Sequence, residues 1–266
     1  MDTETREDRC HAEKDGSIGW LIFDNPRKLN AVSGAMVQEA ISIVEDFDAD
    51  PAIRIIVMRG KGEKAFVSGG DISKFEETRF TPEGQKTSRQ GLDRLRDLLM
   101  GSEKPVIAMI HGYCLGGGMG IALGADLRFG ADTSKLGIPA ALRGVAYPID
   151  GLKTLTDLTG PSVAKDIMFS GRRLDADEGL RVGLLNRVVP AADLEQVTRD
   201  YAQTLADNAP LSIRASKFFI NQLGVEKAAR DTDRIAEMVA TARDSDDFKE
   251  ATRSFMEKRK PVFKGR

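Results

Sequence analysis

Two glycine-rich segments contain the residues of this sequence that are best suited to chemistry. The first spans residues 66–72, Phe-Val-Ser-Gly-Gly-Asp-Ile, and the second spans residues 111–120, directly after an apolar run at 106–110. Glycine at the end of a strand allows positive φ angles and lets a ligand reach bare backbone N–H groups. If the two turns lie at the carboxyl ends of neighbouring strands, two N–H groups can point at one oxygen. An oxyanion formed from a carbonyl group requires this arrangement.

Two other roles are open for these glycines. Tight packing is the usual reason for a glycine-rich turn, because glycine permits close approach of backbone segments. A dinucleotide phosphate is another candidate ligand, since Gly118, Gly120 and Gly124 form a loose G-x-G-x-x-x-G pattern. The pattern lies beyond residue 110, not in an early βαβ unit, and no acidic residue is evident about 20 positions later. A dinucleotide therefore fits poorly.

The composition disfavours several other classes of function. The 266 residues include two histidines and two cysteines, too few for a multi-histidine zinc site or a disulfide framework. Lys and Arg number 39 against 41 Asp and Glu, so the net charge of −2 gives no overall attraction for nucleic acid. The charged start of the chain lacks the features of a leader peptide, and no apolar run approaches roughly 18 residues. We therefore expect no metal, nucleic acid or membrane partner, and a reducing, cytoplasmic location.

Short buried strands that alternate with amphipathic helices predict a largely parallel α/β sheet. Residues 10–14 and 18–23 flank an Asp-Gly turn and are typical of a hairpin. The β-branched, apolar runs at 53–58 and 106–110 predict buried strands. A helix is predicted from the N-cap Ser33, because apolar residues follow it at helical spacing. These residues are Met36, Val37, Ala40, Ile41, Val44 and Phe47.

After residue 150 the pattern predicts helices only. A stripe of Leu194, Val197, Tyr201 and Leu205 is interpreted as the core face of one of them. The predicted helices span 151–158, 162–169, 176–181, 193–206, 211–222 and 225–242.

The two glycine segments, together with several shorter stretches, resemble the crotonase superfamily, also called the enoyl-CoA hydratase/isomerase family. The resemblance covers nearly the whole chain, and the order and spacing of the stretches are similar to those of the family. The matching stretches are 25–31, 66–72, 104–108, 112–118, 125–127, 136–139, 171–174, 183–189 and 255–260.

The resemblance implies an α/β fold of the crotonase-like (ClpP/crotonase) type. Residues 1–190 would form a spiral core of ββα units, and residues 191–266 would form a C-terminal helical trimerisation region. Members assemble as homotrimers or homohexamers and bind an acyl-CoA thioester, so coenzyme A is part of the substrate and no separate cofactor is implied. In that family two backbone N–H groups hold the thioester oxygen while an enolate develops. The matching positions here are Gly70 and Gly117.

The resemblance also implies which residues meet coenzyme A. One pair matches the loop at the phosphates, four residues match the stretch that receives adenine and pantetheine, and one pair matches C-terminal positions that some members supply from a neighbouring subunit. In this order they are Arg27 and Lys28; Ser68, Asp71, Ile72 and Ser73; and Phe255 and Lys258. Without the resemblance, the charged residues among them would be interpreted as solvated surface.

The sequence departs from the hydratases of the family at two positions. Those enzymes use two glutamates to handle the proton and the water, whereas the matching positions here are Gly120 and Ala140. A general acid or base contributes about 10² to 10⁴ in rate. We therefore expect hydration by the two-glutamate mechanism to be slow or absent.

Two residues nearby are candidate replacements. Tyr147 matches a tyrosine of members similar to methylmalonyl-CoA decarboxylase, where it is thought to orient the substrate carboxylate. Asp150 lies near, but not in register with, the nucleophilic aspartate of dehalogenase-type members, and a helix N-cap role before Gly151 is an equal interpretation. His111 stands where the family commonly has asparagine, and we expect it to be packed and hydrogen-bonded.

Three hypotheses for the function follow. The first is an acyl-CoA-transforming enzyme of the hydratase/isomerase family, conventionally a lyase, that stabilises a thioester enolate. The second is a decarboxylase of a malonyl-type CoA thioester that uses Gly70, Gly117 and Tyr147; it fits because loss of CO2 generates an enolate without a base. The third is an acyl-CoA-binding protein that retains the scaffold and lacks the chemistry.

Overall fold

A large sheet with helices on both faces and a smaller sheet beside it form the fold. The structure, a computed structural model, describes residues 8–71 and 82–266, and of residues 82–89 it describes the backbone alone. The strands are β1 (Arg9–Asp15), β2 (Ile18–Asp24), β3 (Ile55–Gly60), β4 (Ala65–Val67), β5 (Val106–Ile110), β6 (Tyr113–Leu115), β7 (Leu127–Ala131), β8 (Lys135–Gly137), β9 (Leu174–Asp175) and β10 (Arg187–Val189). The helices are α1 (Gly34–Ala49), α2 (Pro82–Gly101), α3 (Gly117–Leu123), α4 (Ile149–Thr159), α5 (Pro161–Ser170), α6 (Ala176–Arg181), α7 (Leu194–Asp207), α8 (Pro210–Leu223), α9 (Thr232–Asp244) and α10 (Asp246–Glu257).

The six-stranded sheet has the order β1-β2-β3-β5-β7-β10, with β1 antiparallel to β2 and every other pair parallel. Parallel strands covered on both faces are apolar throughout, and all five residues of β5 are buried. Phe47 of α1 belongs to the apolar cluster on one face, and Leu194 of α7 belongs to the cluster on the other. The strand predicted at 53–58 begins at Ile55, because Ile55 is the first residue of this segment to pair with β2, opposite Ile18.

The N-terminal hairpin and the first helix form as predicted. β1 and β2 pair as far as Asp15 opposite Ile18, and Gly16 adopts a φ of 57° in the turn. At the start of α1 the Ser33 hydroxyl oxygen accepts the N–H of Met36 at 3.3 Å. The helix buries all six apolar residues of the predicted pattern: Met36, Val37, Ala40, Ile41, Val44 and Phe47.

The four-stranded sheet positions both glycine segments. Its order is β4-β6-β8-β9, and β4 runs parallel to β6 with Val67 opposite Cys114. In the first glycine segment, Gly69 and Gly70 follow the carboxyl end of β4; in the second, Gly116 and Gly117 follow the carboxyl end of β6. These glycines therefore lie side by side at one edge of this sheet.

The C-terminal half differs from the prediction in three ways. It contains strands as well as helices, since β9 pairs with β8, and β10 pairs with β7 at the edge of the large sheet. These strands have two and three residues, too few to show a period of two in the sequence. The helix predicted at 225–242 starts at Thr232, because the Asp231 carboxylate caps it by accepting the N–H of Arg234 at 2.9 Å. Finally, α10 lies beyond the last predicted helix.

Both cysteines are buried and free. Burial raises the pKa of the Cys114 thiol, so this group stays protonated and packs as an apolar side chain. Its sulfur lies 3.9 Å from the sulfur of Met119. Among the helices described above, none is both long enough and apolar enough to cross a lipid bilayer.

Candidate active site

The backbone of Gly70 lies against the backbone of Gly117. β4 and β6 are parallel neighbours, so the two glycine segments leave the same edge of the small sheet. A Cβ atom placed on Gly117 would stand 3.6 Å from the nitrogen of Gly70. The fold therefore brings together the two glycines that the sequence resemblance singled out.

The N–H groups of these two glycines have no acceptor among the described residues. Gly117 is the first residue of α3, and N–H groups of the first turn have no partner inside a helix. Around Gly70, the Val32 N–H donates to the Gly69 carbonyl at 2.9 Å, and the Asp71 N–H donates to the Val32 carbonyl at 2.8 Å. These bonds fix the backbone and leave the Gly70 N–H unbonded. Two preorganised N–H groups can hold an oxyanion where both point at one oxygen.

Close packing of backbone requires glycine at two positions of the second segment. A Cβ atom at Gly118 would overlap the carbonyl oxygen of Val67, the last residue of β4. Gly116 has a φ of 53°, a conformation that favours glycine. The packing interpretation is thus confirmed at Gly118, whereas ligand access at Gly117 stays a prediction.

The side chain of Tyr147 fills the space that a side chain at position 120 would need. A Cβ atom on Gly120 would lie 2.8 Å from the Tyr147 hydroxyl oxygen, and one on Gly151 would lie 2.7 Å from its ring. Position 120 is where the sequence resemblance places the first glutamate of the family's hydratases. Here the phenol of Tyr147 lies beside Gly120, one helical turn along α3 from Gly117.

The hydroxyl of Tyr147 has no hydrogen-bond partner in the part of the chain that the structure describes. It still contacts open space, because the enclosed polar atoms without a partner there belong to other residues, namely His11, Trp20, Arg59, His111 and Arg214. Burial raises the pKa of Tyr147, and the nearby Arg96 opposes this effect. The phenol is therefore protonated at neutral pH and free to donate.

Arg96 is a site residue that the sequence analysis missed. It lies on α2 with its side chain 10% exposed, and its Cγ would be 3.3 Å from a Cβ atom on Gly124. Its guanidinium donates to Asp97 at 3.0 Å and, weakly, to Asp93 at 3.4 Å. A signal was present, since position 96 falls on the buried face of α2 between Leu92, Leu95 and Leu99, where a charged residue is unusual.

Asp150 is not a helix N-cap. The helix α4 begins at Ile149 with Pro148 at the N-cap, and Asp150 lies inside its first turn. The N-cap interpretation is wrong because Pro148 already has the extended backbone of a cap. The Asp150 carboxylate is 70% exposed and lies 3.7 Å from the guanidinium of Arg96.

At the two positions that the resemblance matches to the hydratase glutamates, the chain has Gly120 and Ala140. Ala140 is buried, and its carbonyl oxygen accepts the N–H groups of Arg143 and Val145 at 3.0 and 3.1 Å. The carboxylate next to the glycine pair is that of Asp71, which accepts a hydrogen bond from the ammonium of Lys28 at 2.8 Å. It is engaged in an ion pair and is not placed as a free base.

The residues predicted to meet the phosphates and pantetheine lie together beside Gly70. The Lys28–Asp71 pair joins the turn at Pro26–Lys28 to the first glycine segment. Ser68 adds a second link, because its hydroxyl donates to the Lys28 carbonyl at 3.2 Å. Arg27 is exposed on the same turn. Two further predicted residues, Ile72 and Ser73, lie outside the described residues.

The C-terminal pair of predicted residues lies elsewhere in the chain. Phe255 is 82% exposed near the end of α10, and Lys258 follows the helix with a φ of 53°. α10 packs against α9, and its hydrogen bonds run to the last residues of the chain, for example from the Lys264 N–H to Asp247 at 2.6 Å. Within one chain, no hydrogen bond of the described residues connects α10 to the glycine pair.

His111 is buried, as expected, but its Nδ1 atom finds no hydrogen-bond partner among the described residues. Burial lowers its pKa, Glu63 and Glu195 raise it, and Arg59 lowers it. The expected hydrogen bond of a packed histidine is therefore missing at Nδ1, and the imidazole is neutral at physiological pH.

Comparison with known sequences gives one family. The sequence profile described as Enoyl-CoA hydratase/isomerase matches residues 13–266. The chain is 33% identical over 252 residues to a short-chain-enoyl-CoA hydratase of Clostridium acetobutylicum, covering 93% of this chain and 94% of that protein. It is 34% identical over 265 residues to a carnitinyl-CoA dehydratase of Escherichia coli, covering 96% and 98%.

Comparison with solved structures agrees. An enoyl-CoA hydratase/carnithine racemase from Magnetospirillum magneticum superposes with a TM-score of 0.92 at 30% identity, over 97% of this chain and 96% of that one. An enoyl-CoA hydratase from Bacillus anthracis superposes with a TM-score of 0.88 at 26% identity, over 97% and 100%. The predicted crotonase-like fold is confirmed.

Proposed function

Because this chain belongs to the enoyl-CoA hydratase/isomerase family, we propose that it transforms an acyl-CoA thioester by stabilising an enolate between the N–H groups of Gly70 and Gly117. One observation carries the proposal: Gly70 and Gly117 lie on adjacent backbone, and their N–H groups have no acceptor among the described residues. An enolate places its negative charge on the thioester oxygen. Loss of one such donor typically costs about 10² to 10³ in rate.

Coenzyme A enters in this proposal as part of the substrate, and no separate cofactor takes part. Lys28 and Arg27 lie on an exposed turn beside Gly70, where cationic groups attract phosphates. Phe255 and Lys258 would reach the CoA only from a neighbouring copy, since within one chain they lie on α10. We therefore include in the proposal that the chain assembles as a homotrimer or homohexamer, which supplies this neighbouring copy.

Ordinary hydration is not the reaction we propose. The relatives named above are hydratases and a dehydratase, but positions 120 and 140 of this chain hold glycine and alanine. The phenol that replaces one of the two carboxylates is protonated at neutral pH and does not serve as a base for water.

Decarboxylation of a malonyl-type thioester is the second candidate, and the free hydroxyl of Tyr147 favours it. In that reaction the bond between the α-carbon and the carboxylate breaks, CO2 leaves, and the electron pair forms the enolate held by Gly70 and Gly117. No base is needed. This reaction requires an oxyanion hole and a hydrogen-bond donor, and the proposed site offers both. It does not require the glutamate pair.

Mass spectrometry of CoA thioesters after incubation with the purified protein tests the proposal. The panel includes crotonyl-CoA and methylmalonyl-CoA. Gly117→Pro removes one donor, and proline is well tolerated at the first position of a helix. Gly34→Pro is the matched control, because Gly34 is likewise the first residue of a helix, α1, and a Cβ atom there would meet nothing within 4 Å.

Conversion by the wild type and Gly34→Pro, with about 10²-fold or greater loss in Gly117→Pro, supports the oxyanion hole. Loss of CO2 from methylmalonyl-CoA identifies the second candidate. Gain of water by crotonyl-CoA contradicts the exclusion of hydration. Thioesters that bind and return unchanged contradict the proposed catalysis and leave a non-catalytic acyl-CoA-binding protein.

A further inference from the structure

Tyr147 and Arg96 lie on one face of α3. The Tyr147 hydroxyl lies over Gly120 and the Arg96 stem lies over Gly124, as the distances of 2.8 and 3.3 Å to Cβ atoms on these glycines show. Residues four apart on a helix are neighbours on the same face. The two glycines thus form a groove along α3, and an acidic proton donor and a cation lie next to each other in it.

Arg96 also ties this groove to the segment that carries the phenol. Its guanidinium lies 3.7 Å from the carboxylate of Asp150, three residues after Tyr147 in the chain. The Arg96 side chain is 10% exposed, while Asp93, Asp97 and Asp150 at its rim are 35%, 69% and 70% exposed. The buried part of this cluster is therefore the positive charge.

We propose that Tyr147 donates its hydroxyl proton to the carbon of the enolate, and that the charge of Arg96, on the same face of α3, balances the negative charge left on the phenolate. The inference rests on the proposed enolate chemistry. In the hydratases the glutamates would transfer the proton. Here that role is assigned to Tyr147, whose hydroxyl lies over Gly120.

The step is balanced as follows. The carbon–carbon double bond of the enolate supplies an electron pair that forms a C–H bond at the α-carbon, and the thioester carbonyl forms again. The O–H bond of Tyr147 breaks and leaves a phenolate beside Arg96. Water then returns a proton to the phenolate.

Three features of the site support this assignment over a purely steric role for the ring. The hydroxyl has no partner among the described residues and still contacts open space, so its proton is available. It lies over Gly120, one helical turn along α3 from Gly117, whose N–H holds the oxygen of the same enolate in the proposed function. Burial and the neighbouring Cys114 raise the pKa of Tyr147 and keep it in the acid form, while Arg96 favours the phenolate.

Exchange of α-hydrogens with D2O tests the inference, because a group that protonates a carbon also removes the proton in the reverse direction. Propionyl-CoA is the probe, and the readout is deuterium gain at C2 by mass spectrometry. We expect exchange by the wild type that rises with pH. We expect a loss of about 10² or more in Tyr147→Phe. The matched control Tyr113→Phe changes a tyrosine that lies on β6 beside Arg173 and should exchange normally.

Arg96 is tested by the pH profile of the same exchange. Arg96→Met should need a higher pH to reach the wild-type rate, whereas Arg96→Lys, which keeps the charge, should retain most of it. Thermal melting of both variants separates this effect from instability, since a structural role changes the melting temperature and leaves the pH profile of the folded fraction in place.

The outcomes distinguish the inference from the function on which it rests. Exchange that persists in Tyr147→Phe overturns the inference and leaves the oxyanion hole standing. Binding of propionyl-CoA by the wild type without any exchange also overturns it. If the wild type neither binds nor transforms any thioester, the proposed function fails and the inference fails with it.

Discussion

The hydroxyl oxygen of Tyr147 lies 2.8 Å from where the Cβ atom of any non-glycine residue at position 120 would stand. The two positions therefore share one space, and a side chain at 120 would require the phenol to shift. Glycine at position 120 is what leaves the phenol this place.

A double-mutant cycle measures this shared space. In the wild-type background Gly120→Ala should destabilise the fold by about 1 to 3 kcal/mol, because the extra methyl group meets the hydroxyl. In Tyr147→Phe the next nearest atom is the ring carbon at 4.0 Å, an ordinary contact. There Gly120→Ala should be neutral or stabilising by up to about 1 kcal/mol, from helix propensity. Urea unfolding followed by the fluorescence of the single tryptophan gives both values, and equal costs in the two backgrounds would contradict the shared space.

Gly117 and Gly118 should respond in opposite ways to the same substitution. Gly118→Ala should lose about 3 kcal/mol or fail to give soluble protein, because its Cβ would overlap a backbone carbonyl that cannot rotate away. Gly117→Ala should fold normally. Soluble yield and melting temperature are the measurements, and a stable Gly118→Ala protein would show that α3 does not pack on the end of β4 as described.

Asp150→Asn should leave turnover nearly unchanged. The carboxylate is largely exposed, and its ion pair with Arg96 at 3.7 Å contributes less than about 1 kcal/mol to the free energy of unfolding. A nucleophilic role predicts instead a loss of about 10⁴ or more. Steady-state rates on the converted thioester decide, and Asp157→Asn, further along α4, is the control.

Lys28→Ala should weaken binding of acyl-CoA more at low salt than at high salt. Its ammonium is 47% exposed beside Asp71, so a phosphate can approach it, and its attraction is screened over about 8 to 10 Å at ordinary ionic strength. Titration calorimetry with a CoA thioester at two salt concentrations measures this. Lys165→Ala, an exposed lysine on α5, is the control. Equal losses in the two variants would remove Lys28 from the binding loop.

His111 should make the fold less stable in mild acid. Its pKa in the folded protein lies below the ordinary value of 6.5, so the unfolded chain binds a proton first as the pH falls. Stability is therefore lost below about pH 6.5, with a slope of at most about 1.4 kcal/mol per pH unit from this group. Urea unfolding between pH 5 and pH 8 should show a shallower slope for His111→Asn. Identical slopes for the wild type and His111→Asn would mean that the imidazole is protonated as easily in the folded state as in the unfolded state.

The sequence predicted those parts of the fold that depend on local pattern. The six buried residues of α1 follow from apolar spacing, and the hairpin follows from an Asp-Gly turn between extended segments. The short strand β10 could not be predicted, because three residues carry no period and their pairing with β7 is a long-range contact.

The candidate site was predictable in its backbone and less so in its side chains. The glycine pair was identified because glycine has few reasons to occur in runs, and the resemblance supplied the role. The sequence analysis did not identify Arg96, because its place in the site depends on packing against Gly124, twenty-eight residues away, and on Tyr147 in the loop after β8. The same limit applies to His111. That its Nδ1 atom has no hydrogen-bond partner among the described residues follows from tertiary packing and not from the local sequence.

The pairing of β10 with β7 has a consequence for how the protein is made. β7 ends at Ala131 and β10 begins at Arg187, so one edge of the large sheet stays unpaired while the intervening residues are synthesised. At about 5 to 20 residues per second this interval is on the order of 3 to 11 seconds. During that time β7 is an unpaired edge strand, and most of its residues are buried in the folded protein. Unpaired strand edges of this kind can associate with other chains. Residues 187–189 close this edge by pairing with β7, and they precede the C-terminal helices α7 to α10 in the chain.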